Sequence, residues 1–133
     1  MTQKGAAPLE FALGMGLLVL PALIVVLAFS PWLEARTFVR AAAAEAARAA
    51  VLAHDDPTAI GSAAVQPMAT ARGYEAVEVV MCGGSPCVLR RGAYVTAEVT
   101  VHVPLVTTPW GDVGGVPVTA LHAEPVDVYR SLP

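Results

Sequence analysis

Charge is scarce in this chain. Asp, Glu, Lys and Arg make up 14% of its 133 residues, against about 25% in ordinary soluble domains. The few charges sum to −3, which gives no electrostatic footprint for a polyanion and argues against nucleic-acid binding. There are two cysteines, enough for one bridge but not for a cysteine-rich scaffold. No internal repeat is evident, and 133 residues suffice for one ordinary domain rather than two. Low charge is matched by abundant hydrophobicity: 56% of residues are apolar and the mean hydropathy is +0.61. That excludes disorder as a global description and makes an ordinary cytosolic domain a poor fit.

The apolar excess lies near the start. Between Glu10 and Glu34 run 23 residues without a charge. From Phe11 to Phe29 a helix would be roughly 28 Å long at about 1.5 Å per residue, close to the roughly 30 Å hydrocarbon thickness of a bilayer. A membrane span is the first reading; Gly14, Gly16 and Pro21 are compatible with it, because neighbouring helices can re-satisfy kinked backbone. A cleaved secretory signal is the alternative and fits less well. Its apolar region should be about 7–15 residues, followed by a small-x-small site, and the one candidate, Ala28-Phe29-Ser30, is followed by Pro31. Lys4 precedes the span while Arg36, Arg40 and Arg48 follow it, so nearby cations do not fix its orientation.

Ahead of the span stands Lys4-Gly5-Ala6-Ala7-Pro8-Leu9-Glu10-Phe11. A carboxylate at the mouth of an uncharged run needs a reason, since an acid at mid-bilayer costs about 2.5–3.5 kcal/mol on insertion scales. One reason is position: at headgroup depth, near a helix N-terminus, the helix dipole favours an anion. The spacing offers another. Glycine, four residues, Glu-Phe and an apolar helix together resemble the processing site of type IV prepilins. The resemblance implies removal of a leader, residues 1–5, by a prepilin peptidase cutting between Gly5 and Ala6. Glu10 would then be the fifth mature residue, a carboxylate able to offset the terminal ammonium of a neighbouring subunit in a low-dielectric filament core.

More narrowly, KGAAPLEFALGMGLLVLPALIVVL resembles the TadE-like pseudopilins of the tight-adherence (Flp) pilus system, with its small residues, Leu-Glu-Phe-Ala and mid-span proline. The likeness extends by motif over about the first 53 residues and by architecture over the remainder. Major Flp pilins resemble only the front of the chain. Pro8, at the third mature position, departs from the pattern but suits the first turn of a helix. The resemblance implies a minor pilin or pseudopilin acting in pilus assembly or as a pilus subunit, with the membrane, the peptidase, other pilin subunits and the assembly machinery as partners. It implies no cofactor and no small-molecule substrate. The expected organisation is a transmembrane helix over 6–33 and an extracytoplasmic pilin-like domain over 34–133, at the cell membrane or in an extracellular pilus. The competing class is a stationary single-pass membrane protein whose external domain binds another protein.

Beyond the span, Glu34 to Ala53 favours helix strongly, with ten alanines. Pro31 predicts a bend at the membrane exit, and Asp55-Asp56-Pro57 ends the run. The alanine-rich face suits either the protein's own sheet or a partner helix. Asp56 and Pro57 can start a short helix through Thr58 to Val65, which Pro67 interrupts and Gly73 stops.

After Gly73 the pattern alternates. Val95, Ala97, Val99, Val101 and Val103 interleave with Tyr94, Thr96, Glu98, Thr100 and His102, a half-buried strand. Tyr74 to Met81 reads as an earlier strand, Val116 to Val128 as a later one with Pro125 at an edge or break, and Thr107 to Gly115 as a loop. The β-rich portion thus spans 74–129, and the fold class is α+β: a long helix packed on a small antiparallel sheet. Cys82 and Cys87 bracket Gly-Gly-Ser-Pro and suit a disulfide-closed loop; two free thiols and a metal site with His102 and His122 are the alternatives. A bridge would favour an exported domain and staple a small core.

Catalytic signals are missing. His54, His102 and His122 lie on different elements without ligand spacing, and Ser30, Ser62, Ser85 and Ser131 lack a nucleophile-elbow context. Gly83-Gly84 and Gly114-Gly115 read as turn glycines. The expectation is no enzyme. Trp110, in a Gly/Pro loop, reads as an ordinary loop anchor, with an adhesive contact as the alternative.

Overall fold

The computed structural model describes residues 6–104 and 106–129. Helix α1 covers Ala6–Leu52, α2 covers Pro57–Ala71, and five strands follow: β1 Val77–Met81, β2 Tyr94–Val103, β3 Val106–Thr108, β4 Gly111–Val113 and β5 Val116–Pro125. The chain divides at Leu33–Glu34 into two units, which are taken in turn.

The first unit holds the apolar part of α1. The helical assignment continues through Pro21 and Pro31. Its large side chains from Phe11 to Phe29, leaving out 27 and 28, are each more than half exposed. The helix is long and apolar enough to cross a membrane, with none of its most apolar stretch buried within the chain. Such a surface is stable only where the surroundings are themselves apolar.

The second unit, from Glu34 onward, is the α+β part. Strands β1, β2 and β5 form an antiparallel sheet with β2 at its centre. Val77, Val79 and Met81 of β1 stand opposite Val101, Val99 and Ala97, and Val118 and Ala120 of β5 opposite Val101 and Val99. These residues share one face, and along β2 the period-two burial is complete: Val95, Ala97, Val99, Val101 and Val103 are buried while Glu98 and His102 are exposed. The other face is polar, with Thr100 and Thr119, a cross-strand pair, joined through their hydroxyls at 2.9 Å.

Ala35, Phe38, Val39, Ala42, Ala43, Ala46, Ala47 and Ala50 follow helical spacing and are fully buried within the chain. The alanine-rich face is therefore covered by the protein itself. Alanines leave room for close backbone approach, and Gly61 of α2 shows how close. A Cβ there would stand 2.9 Å from the Ala46 carbonyl oxygen and 3.0 Å from the Ala50 Cβ. Only glycine fits.

Helix α2 begins as expected: Asp56 Oδ1 accepts from the Ala59 N–H at 3.0 Å, and Pro57 occupies the first turn. It does not stop near Pro67 but continues to Ala71. Ala63 and Pro67 are both exposed, so water can serve the carbonyl that proline leaves without a donor, and the break is not enforced. Strand β1 starts at Val77 rather than Tyr74, because the Tyr74 N–H is used to close α2 on Ala69 O at 3.0 Å. Strand β5 ends at Pro125 rather than Val128. Val126 still exchanges hydrogen bonds with Ala93 and Gly92, and then Asp127 Oδ1 accepts the Tyr129 N–H at 2.8 Å, turning the chain.

A further correction concerns 107–115. Instead of a loop, most of this segment is a β3–β4 hairpin pairing Val106 with Val113 and Thr108 with Gly111. Pro109 and Trp110 form the two-residue connection. Proline second and glycine fourth in Thr108-Pro109-Trp110-Gly111 is the residue pattern of a type I turn.

Candidate functional site

The processing motif lies at the start of α1. Gly5 is outside the described residues, and Ala6 is the first residue of the described helix. Glu10 and Phe11 are both exposed. The first turn of α1 carries no acidic residue, and Glu10 falls a full turn inside. The helix dipole acts mainly within that first turn, so it gives Glu10 little of the compensation expected from headgroup-depth capping. Immediately beyond it, Phe11, Leu13, Leu17 and Leu18 are more than 70% exposed. A carboxylate next to such a surface needs a compensating cation wherever that surface is removed from water.

Cys82 and Cys87 are joined in a disulfide with a Cα–Cα distance of 5.5 Å. The loop departs from β1 through three consecutive residues with positive φ: Cys82 at 49°, Gly83 at 66° and Gly84 at 82°. Two are glycines, which adopt this region freely; Cys82 is the one that pays a steric cost there. The far end of the loop is tied to α2, where the Cys87 N–H donates to Thr58 Oγ1 at 2.9 Å. The bridge thus fastens the end of β1 beside the N-terminus of α2.

A second cluster, missed in the sequence, sits at the Glu34 end of this unit. Tyr74 stacks on the buried Phe38 ring at 4.5 Å between centroids. The Arg72 guanidinium stands 5.7 Å from the Phe38 centroid, at cation–π range. Glu34, Arg72 and Tyr74 line one depression. Burial, and secondarily the Glu34 carboxylate, raise the Tyr74 pKa above 10.0, with Arg72 opposing. Gly73, at φ +74°, was the available signal: it places Arg72 and Tyr74 on either side of a helix stop.

The histidines are spread out. His102 is exposed on the polar face of β2, and His54 is exposed after α1. His122 lies opposite Ala97, with Nε2 at 3.1 Å from Glu124 Oε2. Among the described residues, no group of three His, Cys, Asp or Glu side chains is placed to hold a metal ion. Trp110 does not anchor a loop: it is 93% exposed at the hairpin turn.

The fold and its surfaces define an α+β chain with one helix long and apolar enough to cross a membrane and a disulfide in its sheet-bearing unit. No family model, curated protein or solved structure matches the chain.

Proposed function

We propose that this protein is a minor pilin or pseudopilin of the tight-adherence type, cut after Gly5 and acting in the assembly or body of a pilus. The observation that carries the reading is Glu10. It stands five residues after Gly5, beyond the first turn of α1, at the head of 23 uncharged residues, and the large side chains described between Phe11 and Phe29 are exposed. Cutting at Gly5 would create an ammonium on Ala6, and in a bundle of such helices that ammonium on one subunit can compensate Glu10 of another. The alanine face of α1 is used within the chain, so subunit contacts fall to the apolar surface between Phe11 and Phe29. The disulfide supports an extracytoplasmic location for the second unit, since such bridges persist in oxidising compartments.

The test is intact mass and N-terminal sequencing of membrane-fraction protein, expressed with and without a prepilin peptidase. A peptidase-dependent chain beginning at Ala6 is expected. Gly5→Val should block that cut, whereas Glu10→Ala should leave cutting intact and lower recovery in sheared pili. A chain that keeps its N-terminal five residues beside an active peptidase would refute the reading and leave a stationary membrane anchor.

A further inference from the structure

Within the second unit, the strands have a definite polarity relative to the end at which the chain enters. Phe38, one turn from Glu34, stacks on Tyr74, three residues before β1 begins. Ala46 and Ala50, two to three turns further on, lie beside Gly61 together with Met81, the last residue of β1. Strand β1 therefore starts at the Glu34 end and runs away from it. Strand β2 returns, with Ala97 opposite Met81 and Val101 opposite Val77, and β5 begins with Val116 opposite Val103. Everything between Val103 and Val116 is consequently attached at the Glu34 end. That segment is the β3–β4 hairpin with Trp110 in its turn.

Glu34 is also the first charge after the uncharged run, so for a chain whose α1 spans a bilayer it marks the emergence from lipid. Val103 to Trp110 is seven residues, a reach of up to about 23 Å at about 3.3 Å each. Phe38, level with the start of the sheet, is only about 6 Å along α1 from Glu34, at about 1.5 Å per residue. The hairpin is thus long enough to reach the bilayer surface. Its chemistry suits that surface. Between Val103 and Leu121 the single charged residue is Asp112, and Trp110 and Val113 are 93% and 58% exposed. An indole, apolar in body with one N–H donor, favours the headgroup layer over both water and hydrocarbon. The chain has two tryptophans. The other, Trp32, lies two residues before Glu34, at the expected end of the span.

We infer that the β3–β4 hairpin is a second membrane contact: Trp110 inserts into the headgroup layer of the bilayer that α1 crosses. The inference rests on α1 being a membrane span and is independent of the pilus reading. It is tested on the uncut full chain in phosphatidylcholine vesicles, without a peptidase. Trp32→Phe leaves Trp110 as the single emitter, and Trp110→Phe leaves Trp32. A third variant carries both changes plus Tyr94→Trp, which reports from the opposite end of β2. Lipids spin-labelled at the headgroup or at the bilayer centre, and iodide in the water, serve as quenchers. The headgroup label should quench Trp110 several-fold more than the Tyr94→Trp reporter and about as much as Trp32, with iodide showing the reverse order. Equal lipid quenching of Trp110 and the Tyr94→Trp reporter, with Trp32 still quenched by lipid, would overturn the hairpin contact while leaving the span intact. Loss of lipid quenching at Trp32 as well would remove the span on which the contact depends.

Discussion

Adding one methyl group at Gly61 tests how closely the helices and sheet are packed. In an ordinary helix interior, Gly→Ala is favourable by about 0.5–1 kcal/mol, because alanine has less conformational freedom to lose. At position 61 the new Cβ would meet Met81 Cε at 2.7 Å, Ala46 O at 2.9 Å and Ala50 Cβ at 3.0 Å. The methionine end can swing aside. The carbonyl oxygen and the Ala50 Cβ belong to a helix whose facing side chains are fully buried, so relief requires α2 to move off α1. Overpacking of this kind costs about 1–3 kcal/mol, which exceeds the propensity gain. The expected net loss is about 0.5–2 kcal/mol, low end less low end and high end less high end. With a urea slope of about 1 kcal/mol per molar for a unit of this size, the midpoint should fall by about 0.5–2 M. The measurement is urea unfolding of the full chain in a mild detergent, followed by hydrogen exchange of the β1 and β2 amides. Gly61→Val should be worse than Gly61→Ala. An unchanged or raised midpoint for Gly61→Ala would show that the approach is looser than described and refute the reasoning.

Other perturbations probe the disulfide and the aromatic cluster. Replacing both Cys82 and Cys87 by Ser should destabilise the second unit by about 2 kcal/mol, the loop-entropy value for so short a ring. Cys82→Gly with Cys87→Ser should recover about 1 kcal/mol of that, because glycine tolerates the positive φ; equal urea midpoints for the two double variants would count against strain at Cys82. Phe38→Ala should cost about 3–5 kcal/mol as a buried aromatic truncation, read as a lower midpoint and faster exchange in β1. Tyr74 has its pKa raised in the folded state, so its contribution is present below pH 10 and lost as pH rises through the folded value. Stability should therefore decline on the alkaline side of 10, less steeply in Tyr74→Phe, and an identical slope for both proteins would sink the assignment.

Periodicity made some elements legible and hid others. The alternation from Tyr94 to Val103 needed no tertiary information, because each inward valine and outward polar residue states its face directly. The same holds for the start of α2, where Asp56 and Pro57 act locally. Proline at position 67 misled because the penalty for an internal proline depends on whether the orphaned carbonyl meets water, which is a tertiary fact. The hairpin at 106–113 was hidden by its shortness: three residues on each side cannot display a period, and only Thr-Pro-Trp-Gly signalled the turn. In the Phe38–Tyr74–Arg72 cluster, Phe38 lies more than 30 positions from its two partners, so the one local sign, the helix stop at Gly73, did not point to it. For the motif around Gly5 and Glu10, the sequence carries the chemistry, and the structure adds that Glu10 lies past the reach of the helix end.

The two parts of α1 invert the usual relation between size and burial. The large aliphatic and aromatic side chains described between Phe11 and Phe29 are exposed; after Glu34 the buried face is mostly alanine. Large exposed groups must be covered by something outside the chain, either lipid or the helices of other subunits, whereas small buried groups bring the backbones of α1 and α2 close together. The largest fully buried residues are Phe38 and a set of valines, namely Val39, Val65, Val95, Val99, Val101 and Val126. A core built this way gains little from any one side chain and much from close approach, so it is more sensitive to an added methyl at Gly61 than to the loss of one from an average valine. It also needs the staple at Cys82–Cys87 more than a leucine-rich core would. If the proposed function holds, the outward surface between Phe11 and Phe29 exchanges lipid for neighbouring helices, while the packing beyond Glu34 is made within its own unit.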